Sequence, residues 1–290
     1  MKKILLLFTF TALFTNLSAQ QEEQAGYTGF LTQALEAAKN YDEQEFTINM
    51  KYFSTAIEEN NITPKILTEE NYKLYSKCMA EGVVKGYEDF DVQQAKEFVA
   101  YNTEDYPDNL FLLGRLYQME GNYSKAKEWY EKAIEKGNAT AMNNLGAMYD
   151  MGEDYTKAKE LYEEAANKGS AEAMFHLGGM YANAVGVEQD FIIAKEWYEK
   201  AAEKGIANAM HNLGSMYYNG EGVKQDYTKA KQWYEKAVEK GDASSMNDLG
   251  AIYYYGLGVV QDSGKSKEWF KKACDAGDET GCQNYEALNK

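Results

Sequence analysis

A Leu-Gly pair returns along this chain with its glycine at Gly114, Gly146, Gly178, Gly214 and Gly250, at spacings of 32, 32, 36 and 36 residues. A leucine precedes each glycine (Leu113, Leu145, Leu177, Leu213, Leu249), and a tyrosine follows three residues on (Tyr117, Tyr149, Tyr181, Tyr217, Tyr253). A second block recurs behind the first, reading KAKEWYEKAIEKG in one copy and KAKQWYEKAVEKG in another. All four tryptophans, Trp129, Trp197, Trp233 and Trp269, share one column of that block, and Leu161 holds the place in the second copy. A period of this length dictates much of the fold. One short unit cannot bury its own apolar face, so the copies must stack on one another.

Both blocks carry helical periodicity. Met142, Leu145, Gly146 and Tyr149 fall on one face, at offsets of three, four and seven, and Ala158, Leu161, Tyr162, Ala165 and Ala166 make a matching stripe. Each copy is therefore an A helix, a loop and a B helix. Gly137, Gly169, Gly205, Gly241 and Gly277 stand where the B helices end, a place that favours the left-handed cap conformation. Asn138, Ser170, Asp242 and Asp278 come next and suit the N-cap of the following A helix. The Leu-Gly glycine is mid-helix, where it costs about 1 kcal/mol against alanine. Repeated in every copy, it implies close helix approach, with an aromatic of a neighbouring helix packed over it. Only two prolines occur, in keeping with an all-helical chain.

The longer spacing comes from the loops. The first two copies join their helices through MEGNYS and MGEDYT; the last three carry NAVGVEQD, NGEGVKQD and YGLGVVQD. Leu-Gly-x-x-Tyr, then Gly-x-Gly-Val-x-x-Asp, then Lys-Ala-x-x-Trp-Tyr-x-Lys-Ala resembles the Sel1-like repeat family, relatives of the tetratricopeptide repeats. The two shorter copies lack the loop glycines and look more like plain tetratricopeptide units, and Ala184 departs from the first loop glycine. The resemblance implies an all-α, right-handed α-solenoid of stacked antiparallel helix pairs. Its repeats are placed at 106–137, 138–169, 170–205, 206–241 and 242–277, with a capping helix over 278–290. Residues 20–105 are read as degenerate helix pairs, divided near Pro64, in which QQAKEFVAYN echoes the B block with Ala95 in the role of Ala126.

The first residues, MKKILLLFTFTALFTNLSAQ, have the layout of a secretory signal peptide. Lys2 and Lys3 form the basic region, Ile4 to Phe14 the apolar run, and cleavage is expected after Ala19. The expectation is an exported protein, periplasmic or secreted, with no stable membrane insertion after cleavage. A net charge of −16 would be repelled by phosphate backbones and anionic membrane surfaces, which argues against nucleic acid as partner.

Motifs that could carry chemistry dissolve into the repeat. Ser124 to Lys127 fits a Ser-x-x-Lys pattern, but the same column reads TKAK at Thr156 and Thr228, so it is the opening turn of a B helix. His176 and His211 occupy adjacent columns without further metal ligands arranged nearby. No catalytic residue, metal site or cofactor is expected. A binding surface is. The A-helix face turned away from the B helix carries Phe111, Arg115, Asn143, Asp150, Phe175, His211, Ser215, Tyr218, Asn247 and Tyr254. In solenoids of this kind stacked A helices line the concave side. Asparagine can hold a peptide backbone through donor and acceptor together, and tyrosine gives contact area at low entropic cost.

The expected function is an exported, non-enzymatic scaffold that binds a protein or peptide on that concave face. Similarity to the secreted cysteine-rich Sel1-like proteins implies an alternative, β-lactam binding or weak hydrolysis, without a catalytic residue to transfer. Cys274 and Cys282 occupy columns that should touch where a B helix turns back into an A helix, and a bond between them resembles the staple of that family. Cys78 would then be a free, semi-buried thiol, and Glu286, in the glycine column, would give the end of the stack a polar face.

Overall fold

The computed structural model describes residues 76–77, 92–100 and 108–289. The expected signal peptide, the boundary near Pro64 and Cys78 lie outside the described residues. Two compact units divide after Ala141, and each is taken by itself.

The first unit contains α1 (Val92–Ala100), α2 (Asp108–Met119) and α3 (Tyr123–Glu135). The apolar stripe of α2 packs on both neighbours, burying Leu113 and Leu116 together with Ala95 and Val99 of α1 and Tyr130 of α3. Lys96 is only 7% exposed, and its ammonium meets Glu120 at 2.6 Å, so the charge enters the packing paired. Asn122 caps α3 by accepting from the Lys125 backbone N–H, and Asn138 accepts from that of Ala141.

The second unit starts within α4 (Ala139–Met151). It continues through α5 (Tyr155–Asn167), α6 (Ala171–Asn183), α7 (Phe191–Glu203), α8 (Ala207–Asn219), α9 (Tyr227–Val238), α10 (Ala243–Tyr255), α11 (Ser263–Asp275) and α12 (Glu279–Ala287). From α5 onward each helix packs on the next, and α12 also reaches back to α10. The A helices are α4, α6, α8, α10 and α12; the B helices are α5, α7, α9 and α11. One core cluster shows how copies are joined: Ala230 and Tyr234 of α9 close on Leu249 and Ile252 of α10. Full burial of such a leucine is worth about 1.5–3 kcal/mol.

The mid-helix glycines have the expected cause. Each lies under the ring of the B-helix aromatic, Tyr130, Tyr162, Tyr198, Tyr234 or Phe270 in turn. A β-carbon at Gly178 would stand 2.5 Å from the Tyr198 ring, so even alanine would force the ring to move. The tryptophans take a different role. They lie half-buried on the B helices, with Lys200 over Trp197 and Lys236 over Trp233, each at 3.9 Å from the ring centroid.

The Gly-x-Gly-Val loops divide their work residue by residue. Gly220 (φ 80°) and Gly256 (φ 69°) end their A helices in the left-handed region, and Ala184 adopts it too, at φ 56°. The second glycine permits close contact between copies: a β-carbon at Gly222 would meet the Phe191 backbone at 2.8 Å. Gln189, Gln225 and Gln261 donate to the last-turn carbonyls of Ala182, Tyr218 and Tyr254. Asp190, Asp226 and Asp262 then cap the following B helices. Ser170, Asp242 and Asp278 cap A helices through their side chains, whereas Ile206, at the same place before α8, makes no such bond.

Where α11 turns into α12, Cys274 and Cys282 form a disulfide, with Cα atoms 4.4 Å apart. Within α12, Gly281 is buried against Ala273, and Asn284 donates to Asn247 Oδ1 of α10 at 2.8 Å. Glu286 is exposed in place of the packing glycine.

Candidate functional site

The B-helix aromatic that covers each glycine is tyrosine in every copy but the last, and burying a phenol costs free energy unless its hydroxyl finds a partner. Those hydroxyls reach toward the A helices. Tyr130 donates to Gln118 at 2.7 Å, and Tyr234 Oη lies 3.3 Å from Ser215 Oγ. Tyr198 engages Asn212, the next A helix along the chain. Tyr162 is fully buried and its hydroxyl has no hydrogen-bond partner; its copy has Ala147 where Ser215 stands two copies later. Burial pushes the phenols of Tyr162 and Tyr234 well above their ordinary range, so both stay protonated.

Around Tyr234 these groups border an open cleft of about 430 Å³. α8 contributes His211, Ser215 and Tyr218, α10 contributes Ser244, Asn247 and Asp248, and the start of α12 contributes Asp278 and Thr280. A second cleft of about 390 Å³, bordered by Asn183 of α6, Tyr198 of α7 and Asn212 of α8, shares Ser215 with the first. The two adjoin along successive A helices.

His211 Nε2 meets Asp248 Oδ2 at 2.9 Å, one copy onward. Burial lowers the His211 pKa, but the hydrogen bond to Asp248 and the charges of Asp248 and Asp242 outweigh it, and the net shift is upward. His176 behaves oppositely. Its ring stacks on Tyr162 at 4.8 Å, and burial depresses its pKa despite the charges of Asp150 and Glu172.

Of the expected surface residues, the structure brings His211, Ser215, Tyr218 and Asn247 into the larger cleft. Phe175 is half-buried against the Tyr198 ring, 5.8 Å between centroids. Asp150 is half-buried and acts on His176 through its charge. Asn143 is 8% exposed, and its Oδ1 lacks a partner, so that position belongs to the packing rather than to an open surface. Tyr254 stands 38% exposed, edge-on to Tyr255. In the first unit Phe111 is half-buried against Tyr130, with the Arg115 guanidinium over its ring.

Sequence reasoning missed Tyr198 and Tyr234, which it leaves unnamed within the repeated block, and Asp248, one column aside from the chosen one. Both had a signal. Phenylalanine would fill the same space, as Phe270 does, and the column two before the glycine turns polar from the second copy on: Asn144, His176, Asn212, Asp248. Ser124 is exposed in the first turn of α3. Among the described residues no group of three or more His, Cys, Asp or Glu side chains could hold a metal ion, and no helix is long and apolar enough to cross a membrane.

The sequence profile of the Sel1 repeat matches residues 139–170, 171–206, 207–242 and 243–278, and that of the tetratricopeptide repeat matches residues 107–137. Among solved structures, a protective antigen of uropathogenic Escherichia coli strains displaying an SLR fold is 30% identical over 77% of this chain, with a TM-score of 0.64. The match covers 51% of that antigen, so this chain spans about half its length. A Sel1 repeat protein from Oxalobacter formigenes is 29% identical over 73% of this chain and 88% of that one, with a TM-score of 0.63. Cysteine rich protein B of Helicobacter pylori is 30% identical over 43% of this chain and 95% of that one, with a TM-score of 0.35. No curated protein sequence matches the chain.

Proposed function

The chain belongs to the Sel1 repeat family, and from that premise we propose that it is an exported, non-enzymatic scaffold. It docks an extended peptide segment of a partner protein along the A-helix face of residues 142–290.

The observation that carries this reading is the pair of adjoining clefts that share Ser215. Consecutive A helices each present polar groups to these clefts, and an extended peptide repeats its own backbone groups. The clefts offer amides at Asn183, Asn212 and Asn247, a hydroxyl at Ser215 and phenol rings at Tyr198, Tyr218 and Tyr234. Amides supply donor and acceptor together, so a peptide can be held through its main chain at modest sequence cost. Export is supported by the leader-like N-terminal sequence and by the Cys274–Cys282 disulfide, a bond that persists in oxidising compartments.

The test is selection of peptides from a displayed library on the full chain, followed by affinity measurement. Ser215→Ala and Asn247→Ala should each weaken the selected peptide by about tenfold. Gln232→Ala, on the exposed side of α9, should leave it unchanged. Affinity insensitive to both A-helix variants would overturn the docking face. Turnover of a chromogenic β-lactam by the purified chain would overturn the non-enzymatic part.

A further inference from the structure

The larger cleft is chemically one-sided. It carries two carboxylates, Asp248 and Asp278, and the phenol rings of Tyr218 and Tyr234; no lysine or arginine is among the residues lining it. The one lining residue that can carry a positive charge is His211, and only when protonated. Asp248 is partly open to solvent, its side chain 32% exposed, so a ligand can reach the carboxylate without dismantling the helix pair. Beyond the cleft, Asp242 acts on the same imidazole, and the whole chain carries −16.

The wall bearing Asp278 is also held in place. Asp278 and Thr280 lie inside the short loop closed by Cys274 and Cys282, and Asp278 is fixed again by accepting from the Gly281 N–H at 2.6 Å. On the facing side Tyr218 is braced edge-on against Tyr227, with centroids 5.2 Å apart. Carboxylates and aromatic faces held apart by rigid elements form a site that needs little reorganisation when a cation enters.

We infer that this cleft receives a cationic side chain of the docked peptide, arginine in preference to lysine, with Asp248 as its counter-charge and the Tyr218 ring beside it. This deepens the docking reading and rests on it. A guanidinium is planar, weakly hydrated and always charged; it can pair with a carboxylate while its face lies along an aromatic ring. A cation arriving at Asp248 competes with His211 for the same carboxylate, so occupancy of the cleft is reported by the imidazole.

That coupling supplies the experiment. The chain has two histidines, and a His211→Asn variant assigns their ring resonances in the full-length protein. N-acetyl-arginine amide, N-acetyl-lysine amide and N-acetyl-citrulline amide are titrated in parallel, citrulline being the uncharged isostere of arginine. The arginine probe should shift the His211 ring signal saturably and lower its apparent pKa. The lysine probe should do so more weakly, and citrulline at least about tenfold more weakly. Asp248→Asn, which keeps the shape of the side chain, should abolish the arginine response while the helical circular dichroism stays intact. An arginine response equal to that of citrulline, or one that survives Asp248→Asn, overturns the inference. The outcome is separable from failure of the docking face: selected peptides that bind through Ser215 and Asn247 without a basic residue sink only the cation site. A library that yields no binder, beside a normal arginine response, sinks only the peptide.

Discussion

At the scale of single residues the repeat shows where it was compromised. Ala184 holds a left-handed conformation, φ 56° and ψ 36°, at the position that Gly220 and Gly256 fill in the next two copies. A β-carbon there is strained by roughly 1–2 kcal/mol, part of which a glycine gives back through its freer unfolded chain. Ala184→Gly should therefore stabilise the protein by about 0.5–1 kcal/mol in urea denaturation; a loss of stability would contradict the strain. The two histidines make a paired prediction. His211 has a raised pKa in the folded state, so its contribution is fully present below the unfolded value near 6.5 and is lost as pH rises through the folded one. His176 has a lowered pKa, so the unfolded chain takes up protons first and stability falls as pH drops below about 6.5. Between pH 8 and pH 6, His176→Asn should leave a protein that gains stability on acidification, and His211→Asn one that loses it. Identical pH dependence in both variants would refute the assignment.

At the scale of helices and loops, much was legible because the determinants are local. Cap residues such as Ser170 and Asp242 bond to backbone groups three positions away, so sequence order alone locates them. Gly214 was legible as a close crossing, since nothing else justifies glycine in mid-helix. Gly214→Ala tests that cause. Propensity alone favours alanine by about 1 kcal/mol, but the new β-carbon would stand 2.5 Å from the Tyr234 ring. Overpacking of this kind costs about 1–3 kcal/mol, so net destabilisation is expected in thermal or urea melts, and stabilisation would contradict the packing. The proposed docking face was only half legible. His211 and Ser215 lie on one helix and could be placed by periodicity, whereas Asp248 meets His211 from the next copy and Tyr234 reaches Ser215 from the next helix. Those approaches depend on crossing geometry, which a single sequence does not print. Asn143 misled for the same reason: its column is half-buried in later copies, at Phe175, His211 and Asn247, yet here the residue is buried.

At the scale of the whole molecule, the paired cysteines join stability to the proposed docking site. The disulfide closes a short loop between α11 and α12, and the same loop supplies Asp278 and Thr280 to the larger cleft. Replacing Cys274 and Cys282 by serine should cost about 2–3 kcal/mol on the chain-entropy estimate. It should also loosen one wall of the cleft, so peptide affinity should fall under reducing conditions while helical content is retained. Unchanged affinity in the reduced protein would detach the clamp from the site. The central claim is that the A-helix face is where a partner docks, and site-specific photocrosslinking to a selected peptide tests it most directly. A photoreactive residue at Ser215 or Asn247 should capture the peptide in the full chain, and one at Gln232, exposed on α9, should not. Capture at Gln232 with none at Ser215 or Asn247 would place the partner on the opposite side and contradict the docking face.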